Sequence, residues 1–165
     1  MIKLSQNLEN IFIVLRYKTL DWTKNEYFKK IFDTIYRCEN ITLCDNYEES
    51  CYSYKLCTHA DLLIAKHTSI ADECLANEIP VLFHEYTHNT KKIIAHIPNY
   101  LSSELMCYNF EELQHKSKSI LFSNSSKLRE EVKKLNERIY FANEKKDIKK
   151  KILKNLENLL VENKL

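Results

Sequence analysis

Glycine is absent from the 165-residue chain, although average usage of about 7% would supply about a dozen. A Walker A loop and a G-x-G-x-x-G turn both need glycine so that backbone can approach phosphate or take a positive φ, and neither can exist here. The G-x-S-x-G elbow of a serine hydrolase is excluded on the same ground. Any phosphate has to be met by a helix start and by side chains, and any left-handed turn has to be made by another residue. Long apolar runs are missing too: nothing approaches the ~20 residues of a membrane span, and "MIKLSQNLEN" at the start lacks the basic-then-apolar layout of a signal peptide. A soluble or peripheral, cytoplasmic protein is expected, with contact at the inner membrane face as its peripheral form.

Strong charge of either sign is also lacking. The formal net charge is +2, too small to indicate nucleic acid, which needs a concentrated basic face. Six cysteines, at 38, 44, 51, 57, 74 and 107, include no CxxC pair, and Cys74 and Cys107 sit in apolar stretches that suit reduced, buried thiols. Glu73 next to Cys74 would raise the pKa of that thiol, which argues against a cysteine nucleophile. With 44% hydrophobic and 29% charged residues, the chain has the composition of one ordinary globular domain with a sizeable core.

Five short apolar runs punctuate the chain: "IFIVLRY" (11–17), "ITLC" (41–44), "LLIAK" (62–66), "PVLFHE" (80–85) and a weaker "LMCY" (105–108). Helix-like stretches separate them. Residues 25–38 set Tyr27, Phe28, Ile31, Phe32 and Ile35 at helical spacing, and 48–60, 69–78 and 109–122 read as further helices. Strands alternating with helices predict an α/β, Rossmann-like domain over residues 1–124: a parallel sheet of about five strands with helices on both faces. Between 125 and 165, twelve Lys or Arg stand against seven acids, so this stretch carries +5 and the rest −3. Leu128, Val132, Leu135 and Ile139, then Ile148, Ile152, Leu156 and Leu159 or Leu160, fall at helical spacing. They predict two amphipathic helices packed on the same domain as a C-terminal extension, with a partner-binding or membrane-surface face as the alternative.

In an open parallel sheet, ligands bind beyond the carboxyl ends of the strands where strand order reverses. Right-handed crossovers allow the order 2-1-3-4-5, which puts the ends of the first and third strands together. The first runs into Arg16 and Lys18, the third into Lys66, His67, Thr68 and Ser69. Ser69 reads as an N-cap with Asp72 three residues on, and the helix start offers amide donors and a positive dipole end to an anion. Glu73, one turn in, can accept hydrogen bonds from a vicinal diol such as a ribose. A purely structural account stays open at this point, in which Ser69 and Asp72 cap the helix and Glu73 is a favourable first-turn acid. The fourth strand ends in "HEYTHNTKK", where His84, Glu85, His88 and Asn89 form a loop facing the same crevice. Its spacing is not H-E-x-x-H, so no metal is expected, and no cofactor.

The stretch "ADLLIAKHTSIADECLANEIPVLFHEY" (60–86) resembles the donor-binding segment of GT-B-fold glycosyltransferases of the bacterial surface-polysaccharide type. The likeness lies in an apolar strand with a leading "AD", a serine at a helix start, an acidic residue one turn on, "LA", and "PVL" on the next strand. Capsule transferases and glycerophosphotransferases share this pattern, with an "R-x-K" on an earlier strand like Arg16-Tyr17-Lys18. The resemblance implies a nucleotide-activated sugar or alcohol as ligand. Thr68 and Ser69 would face phosphate, Glu73 the ribose, Arg16 or Lys18 the diphosphate, and His67 the leaving phosphate as the catalytic contact. Where that family carries glycine before its "PVL", this chain has Glu78-Ile79. The length suffices for one of the two Rossmann-like halves of a GT-B enzyme, so the acceptor-binding half is expected elsewhere, in a longer protein or on another polypeptide. A nucleotide-sugar epimerase and a non-catalytic module of the same fold, docking a partner or membrane through its basic tail, are the alternatives. Nucleic acid is not an expected partner.

Overall fold

The computed structural model describes residues 1–17, 24–44, 51–66, 68–87, 104–123, 126–139 and 153–154. Among them the chain is α/β, and every strand pairing is parallel. A short helix α1 (Ile2–Asn7) leads into β1 (Ile13–Arg16) through Asn10, whose φ of 58° turns the backbone in the left-handed region that asparagine tolerates. Helix α2 (Glu26–Tyr36) starts where the Asn25 side chain accepts a 2.9 Å hydrogen bond from the Tyr27 amide. Its buried Phe32 and Ile35 fall on one helical face. It returns the chain to β2 (Ile41–Cys44), paired with β1 in the register Ile13 with Ile41 through Arg16 with Cys44. Leu4, Leu8, Ile13, Ile35 and Ile41 form the first apolar cluster.

Helix α3 (Tyr52–Thr58) leads to the second and larger unit, a three-stranded sheet in the order β3 (Leu63–Ala65), β4 (Val81–His84), β5 (Met106–Cys107). Val81, Leu82 and Phe83 are buried in succession, as expected of a central parallel strand covered on both faces. Two helices pack on this sheet, α4 (Ser69–Ala76) through Ala71, Cys74 and Leu75 and α5 (Phe110–Phe122) through Leu113, Ser117 and Ile120; α6 (Ser126–Ile139) packs on those two helices through Leu128, Val132 and Leu135. Asn109 caps α5, its side chain accepting from the Glu112 amide at 2.8 Å while the Glu112 carboxylate accepts from the Tyr108 amide at 2.9 Å. Asn136 of α6 is fully buried and donates 2.8 Å to the carbonyl of Leu75, tying α6 to the last turn of α4. The apolar stripe Leu128, Val132, Leu135 is therefore used inside the domain. The second stripe, Ile148, Ile152, Leu156 and Leu159 or Leu160, lies outside the described residues.

The expected single sheet is divided. Among the described residues β1 pairs with β2 and β3 with β4, and β1 and β3 do not pair with each other. Their facing edges instead line one cavity, and Ile64 packs against both apolar clusters, so the two units adjoin across it.

The turn at Glu78 shows how the chain manages without glycine. Glu78 has φ 61°, its amide donates 3.0 Å to Leu75 O, and the Ile79 amide donates 2.9 Å to Cys74 O. These two bonds are the Schellman pattern closing α4, with Glu78 at the left-handed position and Ile79 packed on the core. A side chain there costs about 1–2 kcal/mol, partly offset by glycine's greater unfolded-state entropy. Glu78→Gly is expected to raise stability by about 0.5–1 kcal/mol, read as a higher urea midpoint at unchanged slope. A lower midpoint would show that the Glu78 side chain contributes more than its backbone costs.

Candidate functional site

The cavity between the units has a volume of about 1540 Å³, above the roughly 300–1000 Å³ of pockets for drug-sized ligands, so a nucleotide-sized molecule fits. Leu4 of α1, its cap residue Leu8, and Ile120 and Phe122 of α5 form apolar parts of its wall. The residues near the carboxyl ends of the strands are polar: Arg16 at the end of β1 and Tyr17 after it, Ser53 and Tyr54 on α3, Lys66 after β3, and Thr68 and Ser69 at the start of α4.

Arg16 is anchored at the junction of three elements. Its Nε donates 3.1 Å to Ser53 Oγ and an Nη donates 3.2 Å to the Cys44 carbonyl, which fixes the guanidinium across the ends of β1, β2 and α3. Thr68, with φ −162° and ψ 143°, is the last extended residue and the N-cap of α4, and its side chain makes no capping bond. This corrects the expectation that Ser69 caps the helix: Ser69 already has helical backbone, so Asp72 falls a position beyond the capping-box register. Arg16, Thr68 and Ser69, some 50 residues apart in sequence, thus line a single cavity. Lys18, His67 and His88 lie outside the described residues.

Glu73 is exposed and does not itself line the cavity. It is joined to it through Tyr54, whose hydroxyl donates 3.0 Å to Glu73 Oε1. That bond to a carboxylate pushes the Tyr54 phenol above its ordinary value, so Tyr54 remains a neutral donor.

The sequence pattern missed the centre of the site's charge network. Glu85, just past β4, is 2% exposed, yet its carboxyl is held below its ordinary value. Burial works in the opposite direction, but it is outweighed by the hydrogen bonds from the Thr87 hydroxyl and amide and by Lys66. The Thr87 amide donates to Glu85 Oε1 at 2.7 Å, the Thr87 hydroxyl bonds the same oxygen, and Lys66 Nζ lies 3.6 Å away. No signal of period two was available: Val81, Leu82 and Phe83 are buried on both faces of β4, so strand parity does not tell a buried position from an exposed one at its exit. His84, on the other parity, is held below its ordinary value by burial, against the opposing pull of Glu85.

None of the six cysteines is in a disulfide. Burial first, then the neighbouring Cys57 and Glu73, pushes the Cys74 thiol up to about 12, and burial pushes Cys107 to about 11. Neither is a thiolate at neutral pH, so the buried thiols supply no nucleophile.

The chain matches no family model, and no curated protein or solved structure is similar to it. No described helix is long and apolar enough to cross a membrane.

Proposed function

We propose that the chain is the nucleotide-sugar-binding, donor half of a GT-B-type glycosyltransferase or glycerophosphotransferase of surface-polysaccharide synthesis, working in the cytoplasm. Its five strands would follow the order β2-β1-β3-β4-β5 of one Rossmann-like sheet, opened between β1 and β3. The observation that carries the reading is the single cavity shared by Arg16 and the Thr68–Ser69 start of α4, at the carboxyl ends of two parallel strands. A diphosphate seated there meets a fixed guanidinium and the positive end of a helix, both aimed where negative charge grows as the nucleoside diphosphate departs. Tyr54, on the cavity wall, and Glu73, bonded to it from just outside, would take the ribose hydroxyls as acceptors, the single Tyr54 proton being already given to Glu73. Lys18, His67 and His88 complete the set on the sequence reading, with His67 at the leaving phosphate. The acceptor and its base would come from another half, on this or another polypeptide. Docking through the basic tail is less favoured, because Leu128, Val132 and Leu135 of α6 are already spent on the core.

Calorimetric titration with UDP-, CDP- and GDP-linked sugars or alcohols tests this. One of them is expected to bind, and Glu73→Ala to weaken that binding about tenfold, the worth of a charge-assisted hydrogen bond. Absence of binding by the wild type at millimolar ligand defeats the proposal.

A further inference from the structure

We infer that Lys66, clamped by the buried Glu85, is a second cation on which the cavity seats a phosphate group; this rests on the donor-site reading above. Lys66 follows β3 directly and lines the cavity together with Arg16, Thr68 and Ser69. Its ammonium donates 2.9 Å to Thr87 Oγ1, lies 3.6 Å from Glu85 Oε1 and stands 4.9 Å above the Tyr86 ring. A lysine on a surface rim is normally a mobile point charge with a long flexible stem. Here three neighbours on the β4 exit fix it.

The two partners are unequal. Lys66 keeps 27% of its side chain exposed, whereas Glu85 keeps 2%. Among the described residues all the donors to Glu85 converge on Oε1, while Oε2 is buried without a hydrogen-bond partner. Burying a carboxylate and leaving one oxygen unmet is costly, and a pair serving only to neutralise itself does better exposed or replaced by apolar groups. What the arrangement achieves is a lysine at the cavity wall whose ammonium is held in one place. Fixing the ammonium before a ligand arrives removes the ordering cost that a free lysine meets on binding. Arg16 and the start of α4, two residues beyond Lys66, line the same cavity, and the dipole of α4 brings its positive end there too. A cation beside a helix start suits a phosphate or diphosphate. Lys66 is thus a binding residue, and Glu85 a positioning residue acting through it.

The test titrates pyrophosphate and UDP, CDP and GDP against wild type, Lys66→Ala, Lys66→Arg and Glu85→Gln, with melting temperatures recorded for each. Lys66→Ala is expected to lose about tenfold in affinity for pyrophosphate and for the preferred nucleotide alike, with Lys66→Arg recovering most of it. Glu85→Gln should weaken both about threefold and make the binding more sensitive to salt, a change that a purely structural role would not produce. Glu73→Ala, by contrast, should spare pyrophosphate, which has no ribose. Pyrophosphate affinity within twofold of wild type in Lys66→Ala overturns the inference, and so does a wild type that binds none of the four anions. Lys66-dependent pyrophosphate binding with no gain from any nucleoside would keep this assignment and defeat the donor-site reading. Should Lys66→Ala fail to fold, acetylation of wild-type lysines read by mass spectrometry decides: pyrophosphate is expected to slow Lys66 about fivefold relative to the other lysines, and an unchanged rate overturns the inference.

Discussion

Leu75→Ala is expected to lower the stability of the chain by about 3–5 kcal/mol, the upper part of the range for emptying a core leucine site. Leu75 has no exposed surface and packs in the cluster that contains Ala71, Cys74, Val81, Leu82 and Leu135. Its surroundings are poorly able to collapse into the space. The Leu75 carbonyl accepts both the Glu78 amide and the Asn136 side chain, so the last turn of α4 is pinned to its own cap and to α6. The cost therefore combines the lost transfer free energy of the side chain with most of the residual cavity. Against a total of about 5–15 kcal/mol for a domain, such a loss brings the protein close to unfolding. Urea unfolding followed by circular dichroism measures it, with Leu153→Ala, at an exposed position, as a control expected within about 0.5 kcal/mol of wild type. A loss at Leu75 under about 1.5 kcal/mol would mean that α4 is not packed as described.

Arg16→Ala is expected to cost ten- to a hundredfold in affinity for the preferred nucleoside diphosphate. The guanidinium is planar, carries five N–H donors and recognises phosphate through two parallel bonds. Its bonds to Ser53 and to the Cys44 carbonyl set the plane of that fork at the cavity wall. A charge-assisted pair of this kind contributes about 1.5–3 kcal/mol, which corresponds to the stated range. Arg16→Lys should recover only part of the loss, because an ammonium cannot hold the Ser53 and Cys44 anchors and also present a fork. Calorimetry at two salt concentrations checks this alongside the melting temperature. If both variants melt lower while affinity is unchanged, Arg16 serves to join β1, β2 and α3 and plays no part in binding.

Much of the architecture was legible in the chain. The five apolar runs became β1 to β5 within a few residues, because short β-branched runs bounded by polar residues have few other ways to bury themselves. Helices α2 to α6 followed from apolar spacing of three and four. Helix α1 was not foreseen: at six residues it offers too few turns for a periodic signal, and only Leu4 and the cap residue Leu8 mark its buried side. The start of α4 was placed one residue late for its cap, since Thr68 and Ser69 are both competent cap residues and the choice depends on where the backbone leaves β3. Glu85, expected in a ligand-facing loop, is buried against Thr87 and Lys66, which strand parity could not reveal because both faces of β4 are covered.

Local chemistry alone thus decided that phosphate could be met here without glycine only by helix starts and side chains, that the strands would be parallel, and that Cys74 would be inert. These properties depend on backbone freedom, apolar spacing and neighbouring charge, all of which are written in short stretches of chain. Folding in three dimensions decided the rest. It set β1 and β3 apart around a cavity, brought Arg16 to the same wall as Thr68 and Ser69, and buried Glu85 beneath Lys66. Such pairings join residues 20 to 50 positions apart, and their energies arise from burial and from charges that meet only once the two sheet units are assembled.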